Sequence, residues 1–217
     1  MDLNIFVYIL LIFCIPYLLY SNIRIRPRKG FSVLFISIIS TVILLNFSLI
    51  TIVGTIFLML TLLIKSENFH PYLYGVSFSL LSYEIFTVLN LNIFEFVIDY
   101  LFPISLVSGV FSAMMIGHWF LVDPTISKEG MKKISITSTF QSLILAPLVF
   151  FGFIGQDIES IFKNVILILF ISTSILSFAS YKSLGEKSYT GVMASTGLSY
   201  LSLIVSLGAS GGLLLLS

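Results

Sequence analysis

The chain has 217 residues, 58% of them hydrophobic and only 10% charged, with a net charge of +1 and a mean hydropathy of +1.10. A soluble domain carries roughly 25% charged residues, so this chain lacks the polar surface to cover a soluble fold of its size. The balanced charge also provides no basic face for nucleic acid. The expected class is an all-α, polytopic integral membrane protein, with function lying between its helices, at their ends or on a partner.

Apolar runs of spanning length occur at 4–21, 31–64, 72–91, 100–122, 134–154, 161–181 and 191–214. The first carries an acid, Asp2, before it and bases after it, in YSNIRIRPRKG. A cleavable signal peptide has the reverse order of charge and a small-residue cleavage site. The segment is therefore expected to stay as the first span, with the N-terminus outside. Cys14, the single cysteine, lies within it; it excludes an internal disulfide and reads as a small buried hydrophobe.

The second run is too long for one helix. Thirty-four apolar residues in a single helix would reach about 51 Å, against a hydrocarbon core of about 30 Å. Two short helices, 31–46 and 49–64, meeting at Asn46–Ser48 fit better. Charge supports the division. With eight spans, Arg24, Arg26, Arg28, Lys29, Lys65, Lys128, Lys132, Lys133, Lys182 and Lys187 face the cytoplasm and only Lys163 lies outside. Asp2, Glu95, Asp99, Asp157 and Glu159 share that outer side. One long helix would leave five bases inside and six outside, against the positive-inside rule. The expected architecture is a bundle of eight transmembrane helices, or seven if 31–64 is a single element, with both termini outside.

The span 72–91 contains Glu84, about 18 Å from its inner end and so expected near the middle of the bilayer. Ionisable groups at such depth usually face the bundle interior or an aqueous path, which makes Glu84 the candidate ion-coupling residue. Tyr83 beside it, Thr87, and Asn90 and Asn92 near the outer mouth are its expected polar company. The alternative is a protonated acid that hydrogen-bonds a neighbouring helix. No lysine or arginine lies at comparable depth.

The span 100–122 ends in IGHWFLVDP, residues 116–124. Aromatic rings anchor helices at headgroup depth, and a proline disfavours helix in the residue before it. Much of the motif is thus an inner-leaflet exit signal. His118, Trp119 and Asp123 are nonetheless the candidate inner-leaflet site, because a polar group inside the membrane is costly unless paired. Imidazoles ligate haem iron, so a haem b would draw on His118 or on His70, the only other histidine. Their depths differ, His70 lying outside an apolar run and His118 within one, and no cofactor is expected. No cluster has metal-ligand spacing, so no metal site is expected.

Gln141, in the span 134–154, precedes Pro147 by six residues. It is a candidate polar lining residue, since an amide near a proline can mark an opened helix. Pro16 and Pro103 read as end or kink residues without a polar partner. In the last span Gly191, Ser195, Ser199, Ser202, Ser206 and Ser210 recur at three- and four-residue intervals, a strip for close helix approach. Ser172, Thr173, Ser174, Ser177 and Ser180 give 161–181 a similar face. YGVSFSLLSYEI and YTGVMASTGLSYLSL share a spacing that would suit a duplicated half, but they match only across a one-residue gap.

No nucleotide-binding glycine loop, zinc-protease helix or nucleophile elbow is present. The leading expectation is a small ion-coupled transporter or permease subunit in a prokaryotic cell membrane. One alternative is a non-catalytic membrane subunit of a larger complex, redox complexes included. The other is an intramembrane lipid-modifying enzyme using His118 and Asp123. Membrane lipids, and other membrane subunits in the second case, are the expected partners.

Overall fold

The computed structural model describes residues 3–25, 27, 29–64, 67–90, 92–93, 96–186 and 188–216. Asp2, Arg26, Arg28, Lys65, Glu95 and Lys187, all used in the charge argument, lie outside the described residues. The chain is all-helical, 86% helix, and no strand occurs among the described residues.

Helix α1 runs Leu3–Arg24, α2 Lys29–Ser40, α3 Val42–Leu45 and α4 Leu49–Leu63. They are followed by α5 at His70–Leu89, α6 at Phe102–Phe120, α7 at Lys128–Phe150, α8 at Ser160–Ser183 and α9 at Tyr189–Leu216. Among the described residues, six segments are long and apolar enough to cross a membrane: α1, α5, Phe96–Phe120, α7, α8 and α9. Lys29–Leu45 and Leu49–Leu63 are apolar but shorter.

The long run 31–64 is broken where polar residues interrupt it. Asn46 is extended, at φ −139° and ψ 92°. Ser48 is also extended and caps α4, its hydroxyl accepting from the Thr51 N–H at 3.0 Å. A capping serine satisfies one of the N–H groups that a new helix leaves open, which is why α4 starts at this position.

Other ends differ from the hydropathy boundaries for local reasons. Helix α5 begins at His70 with Pro71 in its first turn and stops at Asn90, whose left-handed φ of 48° turns the chain out. A six-residue π-helix, Phe96–Leu101, leads into α6 just ahead of Pro103, which has no N–H to offer the ladder. Helix α7 starts earlier than its apolar stretch because Ser127 caps it and Glu129 pairs with Lys132 at 3.0 Å. It ends where Gly152 takes a φ of 73° and the Phe153 N–H returns to the Leu148 carbonyl at 2.9 Å, a Schellman closure.

Helix α6 is central, packing against α1, α7 and α9, while α8 lies between α7 and α9. Helix α5 packs on α1 and α4. The small-residue faces of the last helices meet each other. Ser180 Oγ lies 2.7 Å from Ser195 Oγ, Ser177 Oγ 2.9 Å from Ser202 Oγ, and Ser210 donates to the Pro103 carbonyl at 2.9 Å. These contacts give α8 and α9 a polar but closely packed seam and tie α9 to α6.

Candidate functional site

Helix α5 buries only a narrow stripe, formed by Tyr74, Ser77, Leu81, Glu84 and Ile85. These positions recur every three or four residues, so they share one face. That periodicity turns Glu84 inward, 8% exposed, and turns Tyr83 outward, 57% exposed. Glu84 stands about 21 Å along the axis from His70 and about 8 Å from Leu89. It therefore lies in the last third of α5, which both starts and ends two residues earlier than the apolar run.

Its neighbours come from α1 and from the break before α4. Tyr8, on α1 and 3% exposed, lies near enough to Glu84 for the carboxyl's charge to act on its hydroxyl. The Tyr8 hydroxyl is 3.0 Å from Thr51 Oγ1, which is 2.9 Å from Ser48 Oγ. The Asn46 side chain lies alongside the same tyrosine. Among the described residues, the Glu84 side chain has neither an ion-pair nor a hydrogen-bond partner. Thr87 bonds only the Glu84 backbone carbonyl, at 2.8 Å.

Above this cluster lies a cavity of about 260 Å³ between α1, α3 and α5. Asn4, Tyr8 and Asn46 supply its polar lining. Ile5, Leu45, Ile85, Val88 and Leu89 supply the apolar part. Glu84 does not itself line the cavity, but Ile85 beside it and Val88 one turn further along α5 do.

No family model matches the chain, and neither does any curated protein or solved structure.

The other residues singled out in the sequence do not join Glu84. Asn90 is exposed and ends α5. Gln141 lies between α7 and α6, donating to the Phe102 carbonyl at 2.8 Å and to Ser105 Oγ at 2.6 Å. Both amide hydrogens are thus committed to α6, next to Pro103 rather than Pro147. Tyr8, Asn46, Ser48 and Thr51 were not singled out in the sequence as companions of Glu84. The readable signal was position along the helix: Tyr8 lies as far from the start of α1 as Glu84 does from the end of α5.

At the opposite end of the bundle, His118 is exposed near the end of α6. His70 presents Nε2 to the Ile64 carbonyl at 2.9 Å. Asp123 is buried and accepts from Thr125 Oγ1 at 2.6 Å, an arrangement that closes the turn after α6. No group of three or more potential metal ligands occurs among the described residues. Trp119 packs inward: its ring is 5.9 Å from that of Phe31, and a Cβ on Gly30 would stand 3.0 Å from its Cη2. The indole N–H meets no acceptor among the described residues. Trp119 thus joins α6 to α2 through ring contact. Trp119→Ala should cost on the order of 2 kcal/mol, less than for a fully buried ring, and Trp119→Phe clearly less. Thermal unfolding of the purified variants checks this, and equal losses for both would put the stabilisation elsewhere than in the aromatic contact.

Proposed function

We propose that this chain is a polytopic membrane protein of eight crossings, both termini outside, that acts as a small ion-coupled transporter or as the permease subunit of one. The observation that carries the reading is Glu84: a buried carboxyl without an ion-pair partner among the described residues, below a cavity at one end of the bundle. An ionisable group costs several kcal/mol to keep in an apolar bundle, and coupling to a moving ion is a function that would retain it there. Near it, Tyr8, Thr51 and Ser48 form a chain of hydroxyls that could pass a proton or ligate a cation.

The break at Asn46–Ser48 supports eight crossings, because a chain that turns back there keeps the bases on one side. Helices as short as α2 and α4 can be accommodated by local thinning of the bilayer. Single cysteines placed in a Cys14→Ala background test the topology. Asn46→Cys should react with an impermeant maleimide from outside, and Lys132→Cys only after the membrane is opened. Reaction of both from the same side would remove the arrangement.

The transport reading is tested by reconstitution. The purified chain in vesicles should dissipate an imposed proton or monovalent-cation gradient faster than protein-free vesicles do. A protein that is inert alone and is always recovered with stoichiometric membrane partners would replace this reading with that of a non-catalytic subunit.

A further inference from the structure

Among the described residues, eight line the cavity between α1, α3 and α5, and none of the eight carries a charge. Its polar groups converge from two directions. Asn4 and Tyr8 are one turn apart on α1 and so share a face, and the Asn46 side chain comes alongside the same tyrosine from the break that ends α3. Helix α5 supplies only aliphatic wall, at Ile85, Val88 and Leu89. Leu45 and Val88 line the cavity and are also exposed at the surface of the bundle, so its rim is apolar.

That lining selects among chemical classes. An ammonium or a carboxylate meets no counter-charge in these walls, and a buried charge without a partner is strongly disfavoured. A sugar carries more hydroxyls than three polar side chains can serve, and the remainder would face aliphatic carbon. A plain hydrocarbon, such as the end of a lipid tail, errs the other way. It sets carbon against amide and hydroxyl groups, and a buried polar group left without a hydrogen bond costs more than such a bond gains. A neutral molecule with one head that both donates and accepts, on a short hydrocarbon body, suits both walls. Each asparagine amide has two N–H donors and a carbonyl with two lone pairs, so Asn4 and Asn46 can serve a hydroxyl as well as a protein partner. Size narrows the choice further. An apolar cavity of about 150 Å³ holds benzene; at about 260 Å³, this one has room for one ring with a short polar substituent and none for a whole phospholipid.

We propose that this cavity is a binding site for a small neutral alcohol, its hydroxyl between Asn4 and Asn46 and its hydrocarbon body against Ile5, Leu45 and Val88. Binding of the alcohol needs neither an ion nor flux, so it goes beyond the transport reading and is measured apart from it.

The test is a fluorine NMR titration of the full chain in detergent, with empty micelles as the blank. The probes are para-fluorobenzyl alcohol, para-fluorotoluene and para-fluorobenzylammonium. The alcohol should bind saturably, and roughly tenfold more tightly than the ammonium. Referred to each compound's own partition into empty micelles, it should also bind about tenfold more tightly than fluorotoluene, the effect of one neutral hydrogen bond. Asn46→Leu, similar in volume, should erase that preference while keeping the hydrocarbon bound. Ile5→Trp, which fills the cavity and leaves its three polar side chains in place, should weaken the alcohol by roughly tenfold, and it decides the matter if Asn46→Leu does not fold. Binding that fails to saturate, a preference for the ammonium, or alcohol affinity unchanged by Ile5→Trp would each overturn the inference. Equal normalised affinity for alcohol and fluorotoluene would also overturn it, leaving a plain apolar groove. Gradient-driven flux without alcohol binding would remove this inference and leave the transport reading standing. Saturable alcohol binding in a protein without flux would do the reverse.

Discussion

Replacing Gly54 by leucine is expected to disrupt the corner of the bundle that holds Glu84. Gly54 is buried on α4, and a Cβ there would stand 2.8 Å from Leu81 Cγ and 2.9 Å from its Cδ2. Leu81 is itself fully buried on α5, and its Cγ can move only by rotation about χ1 into neighbours that are already packed. Glycine in a helix costs about 1 kcal/mol relative to alanine, so substitution has a propensity gain to set against the clash. For leucine the clash wins. The expected loss is about 3 kcal/mol, the upper end for an overpacked core, seen as a lowered melting temperature or as aggregation in detergent. Gly75, on α5, has nothing within 4 Å of an added Cβ. Gly75→Ala should therefore be neutral or stabilising by up to ~1 kcal/mol. Opposite signs at these two glycines would locate the α4–α5 contact; a tolerated Gly54→Leu would show that α4 is free to move.

The position of Gly54 also links packing to the site. It lies three residues beyond Thr51, which bonds Tyr8, and Leu81 lies three residues before Glu84. The Gly54–Leu81 contact thus sets the register of α4 on α5, and with it the approach of the hydroxyl chain to the carboxyl. A displacement of α5 by even one side chain's width would reach Glu84.

How far the sequence could be read follows from which forces are local. The interruption at Asn46–Ser48 was legible because a polar pair inside a run longer than a bilayer leaves few alternatives. The capping serine adds a purely local signal. Helix ends were less legible, since hydropathy registers the apolar stretch while the helix continues through polar turns, as at Lys128–Lys133 on α7. Glu84 stood out by chemistry, while its position along α5 depends on two helix ends that lie two residues before those of the apolar run. Its partners were not legible at all. Tyr8 is one of ten tyrosines, and only the crossing of α1 and α5 brings it to the acid. Gln141 shows the converse: an amide beside a proline in sequence turns out to bond the start of a different helix.

Glu84→Gln is expected to abolish ion-coupled flux while leaving the protein folded. Glutamine keeps the volume of glutamate and can still donate and accept hydrogen bonds, so the packing stripe Tyr74, Ser77, Leu81 and Ile85 is undisturbed. It cannot carry a proton or offer a full negative charge to a cation. In vesicles, gradient-driven flux through the variant should fall to the protein-free rate, with melting temperature close to that of the unaltered chain. Glu84→Asp keeps the charge but withdraws it by one methylene from Tyr8. A displacement of that order in a positioned group costs about a hundredfold where geometry is tight, so Glu84→Asp should retain a small but measurable flux above that of the glutamine variant. Tyr8→Phe should lie between Glu84→Asp and the unaltered chain, since it removes one hydroxyl of the Tyr8–Thr51–Ser48 chain and leaves the acid. A purely structural acid gives another pattern: the glutamine variant would transport at the full rate, and Glu84→Asp, which shortens the side chain and opens a gap, would be the more damaging change. The order of the two substitutions, read in one reconstitution series, separates an ion-coupling carboxylate from a hydrogen-bonded strut.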